Sequence, residues 1–145
     1  INDKIEKATK RANAEGSPRS FIDLAELYRF YAQVDLLDSA LSKHYLALSA
    51  QTYQRSLDLD TNQPRAAIHY AECLLELCEY ENAKKFIDRA CALWPQDSML
   101  IFLKNEIYFR LGLYSELNLA AAQINLDRLT IEEREVFNFW AEPVT

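Results

Sequence analysis

Two stretches of this chain, 46 residues apart, echo one another in register, and a repeat of that length restricts the fold more than any composition does. Pro18-Arg19-Ser20-Phe21-Ile22-Asp23-Leu24-Ala25-Glu26 returns as Pro64-Arg65-Ala66-Ala67-Ile68-His69-Tyr70-Ala71-Glu72, with Pro, Arg, Ile, Ala and Glu kept. A second echo, at an offset of 34, sets Glu72, Leu77 and Tyr80 on Glu106, Leu111 and Tyr114. The spacing inside these stretches is helical: Ile68, Ala71, Leu74, Leu75 and Cys78, then Ala83, Phe86, Ile87 and Ala90, recur three and four apart. Ser17-Pro18 and Gln63-Pro64 place proline at the first helical position, where its missing N–H is no loss. A hairpin of two helices cannot hide such stripes alone, so successive hairpins are expected to stack and bury them against their neighbours.

Composition narrows the choice further. Only 2 Gly and 4 Pro occur in 145 residues, where average usage would give roughly 17, so the turn chemistry of a many-stranded sheet is missing. A net charge of -6 and a pI near 4.9 work against a nucleic-acid partner, since phosphate binding draws on clustered Lys and Arg. No run of uninterrupted apolar residues is long enough for a bilayer span, and no signal-peptide pattern opens the chain. The first residue is Ile1 rather than Met, which reads as a piece of something longer, with a membrane anchor or further repeats left to sequence outside it. Cys73, Cys78 and Cys91 fit neither zinc-ligand nor disulfide-framework spacing and are expected to be buried apolar residues. Free thiols favour a cytoplasmic address.

At this point the residues resemble a tetratricopeptide repeat (TPR). From Pro64, the family's characteristic slots hold Ala71, Leu74, Ala83, Ile87, Ala90 and Pro95. The unit from Ser98 keeps Tyr108, Gly112 and Tyr114 but has Asn105 in the small slot, Leu117 and Ile124 for Ala, and Leu129 for Pro. The unit from Pro18 has Ala25 and Tyr28 in place and ends in Tyr53-Gln54-Arg55-Ser56-Leu57-Asp58-Leu59-Asp60, similar to the family's closing helix. The resemblance implies an all-α fold, a right-handed superhelix of antiparallel helix hairpins. The expected organisation is an N-terminal polar helix over 1–16, three hairpins over 18–63, 64–97 and 98–129, and a C-terminal capping helix and tail over 130–145. That last helix opens on Thr130-Ile131-Glu132-Glu133, similar to a capping box, and runs through Val136, Phe137 and Trp140 to Pro143.

The first hairpin carries about 12 residues beyond the 34-residue period, between Tyr31 and Tyr53, in a stretch without Gly or Pro. Helix rather than loop is expected there. Val34, Leu37, Leu41, Tyr45 and Leu48 fall on one stripe of it, which would pack on the N-terminal helix, on a second copy as a homodimer, or on a partner.

Catalysis has no visible home. His44 and His69 stand in no metal-binding motif, and with Gly16 and Gly112 as the only glycines no phosphate-binding loop or nucleophile elbow can form. No enzyme activity, cofactor or metal is expected. Surface recognition remains. In the resembling solenoids the first helix of each pair lines the concave side, so equivalent positions form ladders across repeats. The second position holds Arg19, Arg65 and Met99; the fifth Ile22, Ile68 and Phe102; the ninth Glu26, Glu72 and Glu106. The twelfth and thirteenth add Arg29, Phe30, Leu75, Glu76, Phe109 and Arg110. TPR domains that hold acidic C-terminal tails use Lys, Asn and Arg at slots filled here by Ile22, Glu26, His69, Met99 and Leu103. The expected job is a scaffold or adaptor that binds a basic or amphipathic protein partner within a larger assembly; self-association through the long first hairpin is the alternative.

Overall fold

The computed structural model of the protein describes residues 2–34 and 38–121. Among them the regular structure is helix without strand: α1 (Asn2–Glu15), α2 (Pro18–Val34), α3 (Ser39–Leu59), α4 (Pro64–Glu76), α5 (Tyr80–Leu93), α6 (Ser98–Arg110) and α7 (Tyr114–Ala121). The chain divides into two compact units, residues 1–78 with α1 to α4 and residues 79–145 with α5 to α7. The expected closing helix over 130–145 lies outside the described residues, as does Leu37. No described helix is long and apolar enough to cross a membrane.

Side-chain caps open three of the described helices. The Ser17 hydroxyl accepts from the Ser20 amide at 3.2 Å, with Pro18 as the first helical residue of α2. Asp38 caps α3 by accepting from the Leu41 amide at 3.0 Å, and Asp97 caps α6 by accepting from Met99 and Leu100 at 3.0 and 3.1 Å. Gln63 behaves otherwise. Its side chain makes no cap ahead of Pro64; its amide donates back to the Ser56 carbonyl at 3.0 Å, fixing the α3–α4 turn.

The surplus of the first hairpin is shared by its two helices. α2 has 17 residues and α3 has 21, against 13 in α4 and 14 in α5. α3 starts after Asp38, whose side chain satisfies an open amide of the new first turn. α3 is then about 31 Å long.

A seven-residue rhythm holds α2 to α3. Ser42, Ser49 and Ser56 of α3 donate their hydroxyls to the carbonyls of Ala32, Ala25 and Pro18, the latter two at 2.7 and 2.8 Å. The donors climb α3 in steps of seven while the acceptors descend α2 in steps of seven, as an antiparallel pair of straight helices requires. The Ala25 and Pro18 carbonyls have a second lone pair to offer beyond their helical bonds, and Ala32 lies in the last turn of α2, where carbonyls lack a helical partner. Because Ser49, Ser56 and Ala25 are fully buried and small, the backbones approach closely enough for these bonds to form.

The core of the first unit is built around α3, which packs on both α2 and α4. Leu46, Ala50, Tyr53 and Leu57 of α3 are buried with Ala66, Ala67, Ala71, Cys73 and Leu74 of α4. α1, the expected polar helix, docks by its small apolar side: Ala12 is fully buried against Phe21 and Leu24, with Ala8 and Tyr28 beside them. In the second unit α6 packs on α5 and α7 and buries Leu100, Ile101, Leu103, Asn105, Ile107 and Tyr108.

One cysteine expectation is corrected. Cys73 is buried and Cys91 half-buried, and burial raises both thiol pKa values to about 11. Cys78, however, is exposed. It follows the end of α4 with φ at +59°, the left-handed conformation that Gly112 adopts at +75° after α6. The 34-residue echo that aligns Leu77 with Leu111 thus places a cysteine in a glycine's conformation.

Candidate functional site

The 46-residue echo brings Glu26 and Glu72 to equivalent places on α2 and α4, which flank α3. Between these two helices runs Arg29, one turn beyond Glu26. Its Nη1 lies 3.3 Å from Glu72 Oε1 and its Nη2 lies 3.1 Å from Glu76 Oε1, while its Nε is buried without a partner among the described residues. Glu72 and Glu76, one turn apart on α4, make the two jaws that hold one guanidinium. Burial works against the charge of Arg29, but Glu72 and Glu76 outweigh it and its pKa stands above the ordinary value.

His69 closes the cluster. Its ring stacks on Tyr53 of α3, with centroids 5.9 Å apart. Its Nδ1 lies 3.0 Å from Arg29 Nη1 and 3.1 Å from Glu72 Oε1. One ring nitrogen serves one of these at a time: with a free lone pair it accepts from Arg29, and carrying a proton it donates to Glu72. Burial pushes the Glu72 pKa upward, but the bonds and charges of His69 and Arg29 prevail, and the carboxyl stays below its ordinary range. Tyr53 moves the other way, its hydroxyl held protonated by burial and by the neighbouring charges, Glu26 and Glu72 among them.

An open hollow of about 380 Å³ lies over this cluster, lined by Glu26, Arg29, Phe30, Gln33, Tyr53, His69 and Glu72. Of the residues singled out in the sequence, Glu26 and Glu72 line it, Glu76 supports it through Arg29, and Phe30 stands exposed at its wall. Ile22 and Ile68 are half-buried on the same two helices, Leu75 likewise, and Arg19 and Arg65 are exposed. Arg19 is paired with Asp23 at 3.2 Å. Phe102, Glu106, Phe109 and Arg110 belong to the second unit, where Arg110 donates to Glu106 at 3.2 Å. Sequence reasoning missed Gln33, Tyr53 and His69 as lining residues, and Arg29 as the tether. The signal for Arg29 was its place one turn from Glu26, but its partners sit 43 and 47 residues away. Among the described residues no group of three or more His, Cys, Asp or Glu is arranged to hold a metal ion.

The residues of the self-association stripe divide. Val34 is 59% exposed and Leu41 is 36% exposed, whereas Tyr45 packs among Tyr28, Tyr31 and His44 with centroids 5.9 to 6.3 Å apart. Leu48 is half-buried. A second hollow, of about 420 Å³, opens among α1, α2 and α3 and is lined in part by Phe21 and Arg55, whose guanidinium lies 4.5 Å above the Phe21 ring.

No protein-family model matches the chain, and no curated protein is a significant match. Among solved structures, a thermophilic TPR protein of Thermus thermophilus is similar, with a TM-score of 0.73 at 15% identity over 94% of this chain and 70% of that one. At that identity the likeness is one of fold, and the fold is that of a TPR helical solenoid.

Proposed function

On the premise of a TPR-type helical fold, we propose that this chain is a non-catalytic interaction module that holds a basic or amphipathic protein partner against α2 and α4, as one domain of a larger cytoplasmic assembly. The observation that supports it is the hollow in which Glu26 and Glu72, equivalent residues of successive echoes, face one space from two helices. Half-buried Ile22 and Ile68 offer apolar anchorage beside it, suited to a helix or extended segment. A partner ending in an acidic tail is disfavoured, because Glu26 would meet it with like charge and Arg29 is already held by Glu72 and Glu76.

Cross-linking of the full-length protein followed by mass spectrometry identifies the partner and the helices it touches. Cross-links on α2 and α4, and a loss of about tenfold in affinity for Ile68→Ser, about 1.4 kcal/mol, are expected. A partner that binds that variant as tightly as the parent overturns this placement.

A second reading, self-association through the long first hairpin, is favoured by the exposure of Val34 and Leu41 near the end where α2 gives way to α3. Light scattering distinguishes the two. A dimer dispersed by Leu41→Glu supports self-association, and a monomer at working concentration rules it out.

A further inference from the structure

The hollow between α2, α3 and α4 carries a charge imbalance that its own residues leave open. Three carboxylates, Glu26, Glu72 and Glu76, stand around a single guanidinium, and that of Arg29 turns both terminal nitrogens toward α4. Glu26 makes no ion pair among the described residues and is exposed. Its charge nevertheless reaches the interior, where it helps to hold the Tyr53 hydroxyl protonated. One turn further along α2, Phe30 is 57% exposed at the wall of the hollow, its ring in edge-to-face contact with Tyr31 at 5.6 Å. An exposed aromatic ring beside an unpaired carboxylate is a receptor for a cation: the ring's negative face and the carboxylate attract it together, and both gain as water is displaced.

We propose that this hollow receives an arginine side chain of a partner polypeptide, its guanidinium seated against Glu26 and Phe30. This rests on the reading of the domain as a partner-binding module and names the residue type that it recognises. Arginine fits better than lysine because a planar guanidinium can pair with the carboxylate along one edge while lying flat on a ring. An anion is repelled by Glu26 and finds Arg29 occupied. A purely apolar side chain would strip water from Glu26 and return nothing for it.

The test uses the intact 145-residue chain, isotopically labelled, titrated in the magnetic-resonance spectrometer with two blocked pentapeptides that differ only in a central Arg or Gln. The Arg peptide is expected to give saturable shifts at Glu26, Phe30, Tyr53 and His69, and the Gln peptide to bind about tenfold more weakly. Glu26→Gln and Phe30→Ala, both at exposed positions and so expected to keep the helical circular dichroism, each weaken the Arg peptide about three- to tenfold. Equal shifts for the two peptides, shifts centred elsewhere, or no response to the Arg peptide at millimolar concentration overturn the proposal. A captured partner that binds Glu26→Gln and Phe30→Ala undiminished also overturns it, and leaves the broader partner-binding reading standing. Failure of any partner to touch α2 or α4 sinks that broader reading instead.

Discussion

At Asn105 a fully buried carboxamide has neither its oxygen nor its nitrogen hydrogen-bonded among the described residues. Such a group costs about 1–3 kcal/mol, because water that once served it has been removed without replacement. The equivalent slots on α2 and α4 hold Ala25 and Ala71, both fully buried. Asn105→Ala is therefore expected to stabilise the protein by about 1–2 kcal/mol, read as a higher urea midpoint; a lower midpoint would mean that the lost packing outweighs the orphaned amide. Cys78 stores a smaller strain. A side chain in the left-handed region costs about 1 kcal/mol, and Cys78→Gly should recover part of it in the same measurement. Glu72 links stability to pH. Its folded pKa lies below the ordinary 4.5, so its contribution is complete above that value and is lost as pH falls through the lowered one. Acid titration of Glu72→Gln should accordingly show a shallower loss of stability below pH 4.5 than the parent. Equal slopes would remove Glu72 from the acid response.

At the scale of the element, the long hairpin is held by serine hydroxyls as well as by apolar stripes. Ser49 sits at its middle, fully buried, donating to Ala25 and lying 3.8 Å from the Cys73 sulfur on α4. Ser49→Ala removes the bond to Ala25 and the weak one accepted from the Cys73 thiol, and should cost about 1–2 kcal/mol. Ser49→Val adds bulk between backbones that meet closely and should cost about 1–3 kcal/mol more. Similar losses for the two variants, measured by thermal unfolding, would show that close approach is unimportant there. The pattern Ser42, Ser49, Ser56 against Ala32, Ala25, Pro18 was present in the sequence, but hydrophobic periodicity does not weigh a serine as a core residue. Helix existence was legible for the opposite reason: proline at the first position of α2 and α4 and the apolar spacing after it are decided by near neighbours, whereas the aspartates before α3 and α6 went unread.

At the scale of the whole molecule, a net charge of -6 favours encounter with basic partners and acts through the long-range field. Association with such a partner should slow several-fold when salt is raised from about 50 to about 300 mM, with dissociation changing less, as stopped-flow mixing would show. A salt-independent on-rate would exclude electrostatic steering. The sequence by itself determined the helical class, the proline starts of α2 and α4 and the register that makes Glu26 equivalent to Glu72, because each depends on residues within a turn or on an echo readable along the chain. Tertiary structure alone decided that Arg29 would span to Glu72 and Glu76, that Tyr53 and His69 would floor a hollow, and that Asn105 would lose its water. Those outcomes turn on how closely α2 and α4 settle on α3 and α6 on its neighbours, a distance set by packed side chains and written in no single stretch of the chain.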